Sequence, residues 1–364
     1  MRAPDEVLAR DAGPEGGKVL IVGPSWVGDM VMAQALYKLL RLRDPTAEIH
    51  VVAPSWSLPV LERMPEVARG IELAVGHGEL ALRRRRTLAR ALRGEGYARA
   101  IVLPRSLKAA LVPWLARIPR RTGFRGEWRY GLLNDVRRLD KRLDQTVKRF
   151  VALGQERDEP IPLWLPAQLR PRLVADAANL ARLRAEHGLP AAAPLVALMP
   201  GAEYGPAKRW PAAHFGEVAA VLARRGAEVV LLGSAKERVL GDEVAAVAHD
   251  ARVHNLCGAT TLVDVVDLAA AAEAAVSNDS GLLHLAAAAG TPVVAIYGSS
   301  SPDFTPPLTD RATSLWLKLS CSPCFARECP LGHLRCLKEL MPQTVLDALD
   351  ALRGHRRVGV GGAA

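Results

Sequence analysis

A chain of 364 residues is longer than one hydrophobic core usually organises, so two domains of about 150 residues each are expected. Its 49% hydrophobic and 24% charged residues exclude a disordered or fibrous chain, and no apolar run approaches the roughly 20 residues needed to cross a bilayer. The net charge of +10 excludes an acid-rich surface and points to anionic partners.

The first 17 residues are charged and Gly/Pro-containing, without the apolar core of a signal peptide, which predicts a soluble cytoplasmic protein. Lys18–Gly23 (KVLIVG) then reads as a buried strand, followed by a glycine-containing loop and a helix from Gly28 to Leu42. Further strands are predicted at Glu48–Ala53, Ile71–Val75 and Ala100–Leu103, with helical patterns between them, and a short one at Arg121–Phe124. The segment Glu159–Pro171 (EPIPLWLPAQLRP) breaks this alternation, because proline fixes the backbone and stops helices. It marks the boundary between a domain of residues 1–165 and one of residues 166–364. The pattern then restarts, with a helix at Leu173–Glu186, a strand at Pro194–Met199 and a helix after Pro211. Strands follow at Glu228–Gly233, Ala274–Ser277 and Val293–Tyr297, and the tail after Arg357 is expected to be unstructured. Strands alternating with helices make an α/β chain with parallel sheets, whose ligands bind in loops beyond the carboxyl ends of the strands.

Four loops carry residues suited to chemistry. The first, Gly23 to Met30, holds Gly28 for close backbone approach and Asp29 in the first helical turn. Asp29 is equally readable as a complement to the helix dipole or as a general base facing a cleft. The loop lacks the G-x-G-x-x-G spacing of a nicotinamide dinucleotide site. The second, Met199 to Pro211, combines Gly201, Glu203 and Gly205 with Lys208 and Arg209, a flexible path with paired cations suited to phosphate. The third, Ser277 to His284, places Asp279, Ser280 and Gly281 at a helix start, where backbone N–H groups attract anions, with His284 one turn inside. The fourth holds Cys321, Cys324, Cys329 and Cys336, which admit a structural zinc or, preferably, reduced thiols lining a tight turn. Cys257 stands apart and reads as core.

Charge is concentrated too. Between Arg105 and Arg149, 13 Lys/Arg stand against four Asp/Glu, whereas the run Arg83–Arg86 reads as a solvated helix face.

Taken together, the segments SWVGDMVMAQALY, PGAEYGPAKRWP, NDSGLLHLAAAAGTPVVAIYG and CSPCFARECPLGHLRC resemble the heptosyltransferases of glycosyltransferase family nine. The resemblance runs from Lys18 to about Leu352. It implies a GT-B fold, two Rossmann-like domains facing each other across a cleft, with acceptor bound by the first and ADP-sugar by the second. It also implies inverting transfer of L-glycero-D-manno-heptose from ADP-heptose to the first heptose of a lipid A–Kdo–heptose acceptor. Asp29 would then be the base and Lys208 the holder of the diphosphate. Gly28, Gly201, Glu203, Arg209, Asp279, Ser280, Gly281 and His284 would complete the donor site, with Glu237 a weaker candidate for the ribose. Arg105, Lys108, Arg121 and Arg125 would meet an acidic acceptor. No D-x-D carboxylate motif stands out, so no metal cofactor is expected in catalysis. The protein would be a monomer in peripheral contact with the inner membrane, without a nucleic-acid partner. Three alternatives remain: a family member with another acceptor, a nicotinamide oxidoreductase, and a non-catalytic nucleotide or nucleic-acid binder suggested by the charge.

Overall fold

The computed structural model describes residues 17–76 and 78–358; the first sixteen residues, His77 and the tail 359–364, where the unstructured end was expected, lie outside them. Residue contacts divide the chain between Pro171 and Arg172.

The first unit is one six-stranded sheet with helical crossovers. Its strands are β1 (Lys18–Val22), β2 (Glu48–Ala53), β3 (Val67–Glu72), β4 (Tyr97–Val102), β5 (Arg120–Phe124) and β6 (Asp135–Arg137). Their order is β3-β2-β1-β4-β5-β6, and every pairing is parallel. Strands β1, β2 and β4 are almost continuously buried because helices cover both faces of a parallel sheet. The helices are α1 (Val27–Arg43), α2 (Leu82–Leu92), α3 (Leu107–Leu115) and α4 (Thr146–Gly154). Helix α4 packs closely on α1, since a Cβ on Gly154 would lie 2.4 Å from Leu36 Cδ1.

The second unit repeats this plan. Its strands are β7 (Leu195–Met199), β8 (Glu228–Leu231), β9 (Val253–Asn255), β10 (Ala274–Asn278), β11 (Val293–Ile296) and β12 (Ala312–Leu315), in the order β12-β11-β10-β7-β8-β9. Counted from each unit's own first strand, both sheets run 3-2-1-4-5-6, the doubly wound order. The strand order therefore reverses between β1 and β4 in one unit and between β7 and β10 in the other, where loops part and ligands enter. Helices α5 (Ala177–Glu186), α6 (Ala212–Arg224), α7 (Arg238–Ala248), α8 (Leu262–Ala271), α9 (Gly281–Ala288), α10 (Arg335–Lys338) and α11 (Pro342–Val358) complete it. Fully buried Trp210 and Phe215 lie in its core with Cys257, whose thiol burial pushes up to about 12.

The Pro-rich segment belongs to the first unit. Glu159 is held by Arg43 through two hydrogen bonds of 3.0 and 2.5 Å, Leu169 is buried, and Lys38 Nζ donates to the Arg170 carbonyl at 2.8 Å. Leu173 N already donates to Ala288 O, in the second unit, at 2.8 Å. The chain thus changes unit between Arg170 and Leu173, downstream of the expected 165–166, because these polar contacts keep the segment on α1.

The inner strands lie where the apolar runs predicted them. The edge strands do not: β3 starts four residues earlier than predicted, and β6, β9 and β12 were not predicted. Helix α5 begins at Ala177 rather than Leu173, because Asp176 caps it by accepting from Ala178 N and Asn179 N.

Candidate functional site

In the first unit, the loops after β1, β2, β3 and β4 surround a cavity of about 420 Å³. Asp29, in the first turn of α1, lines it together with Trp26, Trp56, Phe124 and Phe150. Trp56 Nε1 donates to Ser25 O at 2.7 Å, tying the loop after β2 to the loop after β1. Gly28 is buried in the same helical turn.

Four cations reach this cavity: Arg85, Arg105, Lys108 and Arg149. The carboxylates lining it are Asp29 and Glu79, so its wall is net positive. Burial lowers the Arg149 pKa, and Arg105 nearby lowers it further, so an anionic ligand would relieve a charge conflict already in the fold. Arg85 is a departure from the expected solvated face: it is 4% exposed and its Nε donates to Leu80 O at 2.7 Å. A helix of consecutive arginines must turn one of them inward, which the sequence alone did not single out.

Arg121 and Arg125 do not line the cavity. The Arg121 guanidinium donates to the Leu132 and Ile118 carbonyls at 2.7 and 2.5 Å, holding the β5–β6 connection, and Arg125 lies 5.9 Å from the Tyr130 ring centre. Beneath them is Arg129, 1% exposed, donating to Pro104 O at 2.5 Å and to the Phe124 carbonyl. Burial, with Arg105 nearby, lowers its pKa to about 10.

In the second unit the loops beside the strand reversal meet directly. Lys208 Nζ lies 2.5 Å from Asp279 Oδ2, while Thr305 Oγ1 donates to Asp279 Oδ1 at 3.3 Å. Asn278, fully buried, staples the same loops: its Nδ2 donates to Pro200 O at 2.7 Å and its Oδ1 accepts from Trp210 N at 3.0 Å. Ser280 and Gly281 start α9 without a side-chain cap, leaving its N–H groups directed outward. His284, 5% exposed, has a lowered pKa, chiefly through burial, and its Nδ1 finds no hydrogen-bond partner among the described residues. The buried Ser299 and Ser300 hydroxyls are unpartnered in the same sense, and Ser299 N donates to Ala207 O, next to Lys208. Buried polar atoms are rarely left so, and an oxygen-rich ligand would satisfy them.

The other residues expected at the donor frame this centre. A Cβ on Gly201 would lie 1.9 Å from Glu237 Oε1, so glycine leaves room for that carboxylate against the loop. Glu237 Oε2 accepts from Ser234 N at 2.8 Å, fixing that carboxylate. Glu203 pairs with Lys236 at 3.0 Å on the surface, and Arg209 is exposed, its Nε donating to Ala202 O at 3.3 Å. The sequence reading missed the cysteine segment's part in this site. Arg327 O accepts from Ala207 N at 3.0 Å, and its guanidinium lies 5.4 Å from the Tyr204 ring centre, with Lys208 Nζ 5.1 Å from the same ring. The cysteines themselves are free thiols, and among the described residues no group of three or more His, Cys, Asp or Glu is placed to hold a metal.

Two doubly wound units, one with Asp29 in a cavity rich in cations and the other with Lys208 beside an uncapped helix start, suit group transfer from a nucleotide. Residues 85–335 match the model of glycosyltransferase family 9 (heptosyltransferase). The chain belongs to that family. As a family 9 glycosyltransferase it is 45% identical over 352 residues to lipopolysaccharide heptosyltransferase 2 of Salmonella typhimurium, covering 94% of this chain and 100% of the relative. The Escherichia coli K12 protein of the same name is 46% identical over 92% of this chain and 98% of its own. The structure of Escherichia coli ADP-heptose lps heptosyltransferase II superposes with a TM-score of 0.83 at 43% identity, covering 93% of this chain and 99% of that one. This sets the oxidoreductase alternative aside and accounts for the incomplete glycine pattern after β1.

Proposed function

We propose that this family 9 enzyme moves L-glycero-D-manno-heptose from ADP-heptose to the first heptose of a lipid A–Kdo–heptose acceptor. The observation that carries the reading is the pairing of Lys208 with buried Asp279 beside the open N-terminus of α9, in a chain so similar to heptosyltransferases 2.

The Asp29 carboxylate takes the proton of the acceptor hydroxyl while that oxygen bonds to C1 of the donor heptose. The bond from C1 to the β-phosphate oxygen breaks on the opposite face, its electron pair leaves with ADP, and the anomeric configuration inverts. Lys208 and the N–H groups of α9 stabilise the departing diphosphate, which needs fixed positive charge rather than a metal ion. Ser280, Gly281 and His284 face donor oxygens, while Gly201 and Glu237 bound the adenosine side. Arg105 and Lys108, joined by Arg85 and Arg149, hold the acceptor's anionic groups.

In the same reading the protein works as a monomer at the cytoplasmic face of the inner membrane, where lipid A anchors the acceptor. Among the described residues no helix is long and apolar enough to cross a membrane.

The deciding experiment measures ADP release from ADP-heptose, with EDTA present and a heptose-I-terminated core as acceptor. Wild type should release ADP only when the acceptor is added, and Asp29→Ala should bind donor yet lose about 10²–10⁴-fold in rate. Full activity of Asp29→Ala would remove Asp29 as base. Turnover only with an acceptor lacking that heptose would replace the acceptor assignment.

A further inference from the structure

We propose that residues 125–131 of the loop joining β5 to β6 are a docking tip that carries Trp128 into the headgroup layer of an anionic bilayer. Trp128 is 87% exposed, the most exposed large apolar side chain among the described residues, and Tyr130 beside it is 55% exposed. Exposure leaves the apolar ring surface of the indole in water, and Trp128 sits at a φ of 22°, a left-handed conformation that strains a bulky residue. Neither feature is a by-product of a slack loop. Arg129 is locked inward by its bonds to the Pro104 and Phe124 carbonyls, and Gly126 packs against Arg105, where a Cβ would lie 2.1 Å from the carbonyl oxygen. Fixing Arg129 inward turns both its neighbours outward.

The surrounding charge selects the partner. Arg125, Arg138, Lys141 and Arg142 are exposed around this edge of the sheet. Arg142 is paired with Asp140 at 2.8 Å and Glu127 accepts from Leu107 N at 2.9 Å, so Arg125, Arg138 and Lys141 against Glu127 leave this edge net positive. Arg125 also stacks on Tyr130. Tryptophan and tyrosine prefer the depth of lipid headgroups, and clustered cations are drawn to anionic lipid. A protein partner would demand a shaped, packed apolar patch around the indole, which two projecting rings on a basic sheet edge do not offer. The tip also starts at Phe124, which lines the Asp29 cavity with Arg105. Docking there would bring that cavity to the layer from which a lipid-linked acceptor rises, and this last step rests on the proposed function.

The test is co-sedimentation of the full chain with phosphatidylcholine vesicles containing or lacking phosphatidylglycerol. Wild type should bind the anionic vesicles, less so in high salt. Trp128→Ser with Tyr130→Ser should cut the bound fraction about fivefold, and Trp128→Tyr should restore most of it. ADP release with a delipidated, soluble acceptor should be unchanged in all variants, which also shows that they fold. Equal vesicle binding by the Ser variant, or no binding by wild type, would overturn the docking tip. A change in the protein's own oligomeric state would overturn it too, by making the loop a self-contact. Should wild type release no ADP with the soluble acceptor, the function reading fails on its own, whatever the vesicles show.

Discussion

The Lys208 ammonium stands 2.5 Å from the Asp279 carboxylate, joining the loop after β7 to the loop after β10 where the second sheet reverses its strand order. Asp279 is 4% exposed, so water cannot take the place of that contact. Removing one partner of a buried pair leaves the other uncompensated. Lys208→Met should therefore lower unfolding free energy by about 3 kcal/mol in urea titrations. It should also lower kcat/KM by about 10²–10³-fold, as expected for a group that stabilises the leaving charge. Loss of stability with kcat/KM intact would make the pair purely structural.

Asn278 holds the same junction without charge. Asn278→Ala would leave Pro200 O and Trp210 N unpaired in the interior, at a cost of roughly 2–4 kcal/mol for two buried groups. Donor KM should rise in parallel, because the loop carrying Lys208 loses its tether. A midpoint within experimental error of wild type would refute the staple.

His284 gives a pH dependence with a definite sign. Its folded pKa lies below the ordinary 6.5, because burial disfavours the imidazolium; Asp279 offsets part of this, and Lys208 adds a smaller repulsion. Below about pH 6.5 the unfolded chain then takes up this proton first, so the contribution is complete above that value and lost as pH falls through the folded pKa. Wild-type stability should drop on acidification below about pH 6.5 more steeply than that of His284→Gln. Parallel curves for the two proteins would show that His284 does not titrate between the states.

The Arg43–Glu159 pair fixes the start of the Pro-rich segment on the first unit, with side chains 11% and 4% exposed. Glu159→Ala should destabilise by about 3–5 kcal/mol, as for a broken buried pair, and expose the segment to limited proteolysis. Wild-type resistance to protease in that variant would mean that the Lys38–Arg170 contact suffices.

The inner strands were legible because a strand buried on both faces must be apolar along its whole length, as KVLIV and LVALM are. The edge strands were not. β3, with the burial of only Ile71 to mark it, and β6, β9 and β12, of three or four residues, are defined by hydrogen bonds to a neighbour rather than by composition. The same divide runs through the site. The loops bearing Asp29, Lys208 and Asp279 could be found by their place after apolar strands, whereas which arginines of a basic stretch face a cavity could not. Arg121 turns to backbone carbonyls, and Arg85 and Arg149 line the cavity.

The sequence by itself determined the α/β class, the restart after the Pro-rich segment and the loops that hold the chemistry, because apolar period and turn residues are local properties. Only the tertiary structure decided that Asn278 would bridge two loops, that the cysteine segment would back the Lys208 loop, and that Arg129 would turn Trp128 outward. Those outcomes depend chiefly on contacts between residues 23 to 123 positions apart, and such contacts form only once parallel strands have brought their ends together.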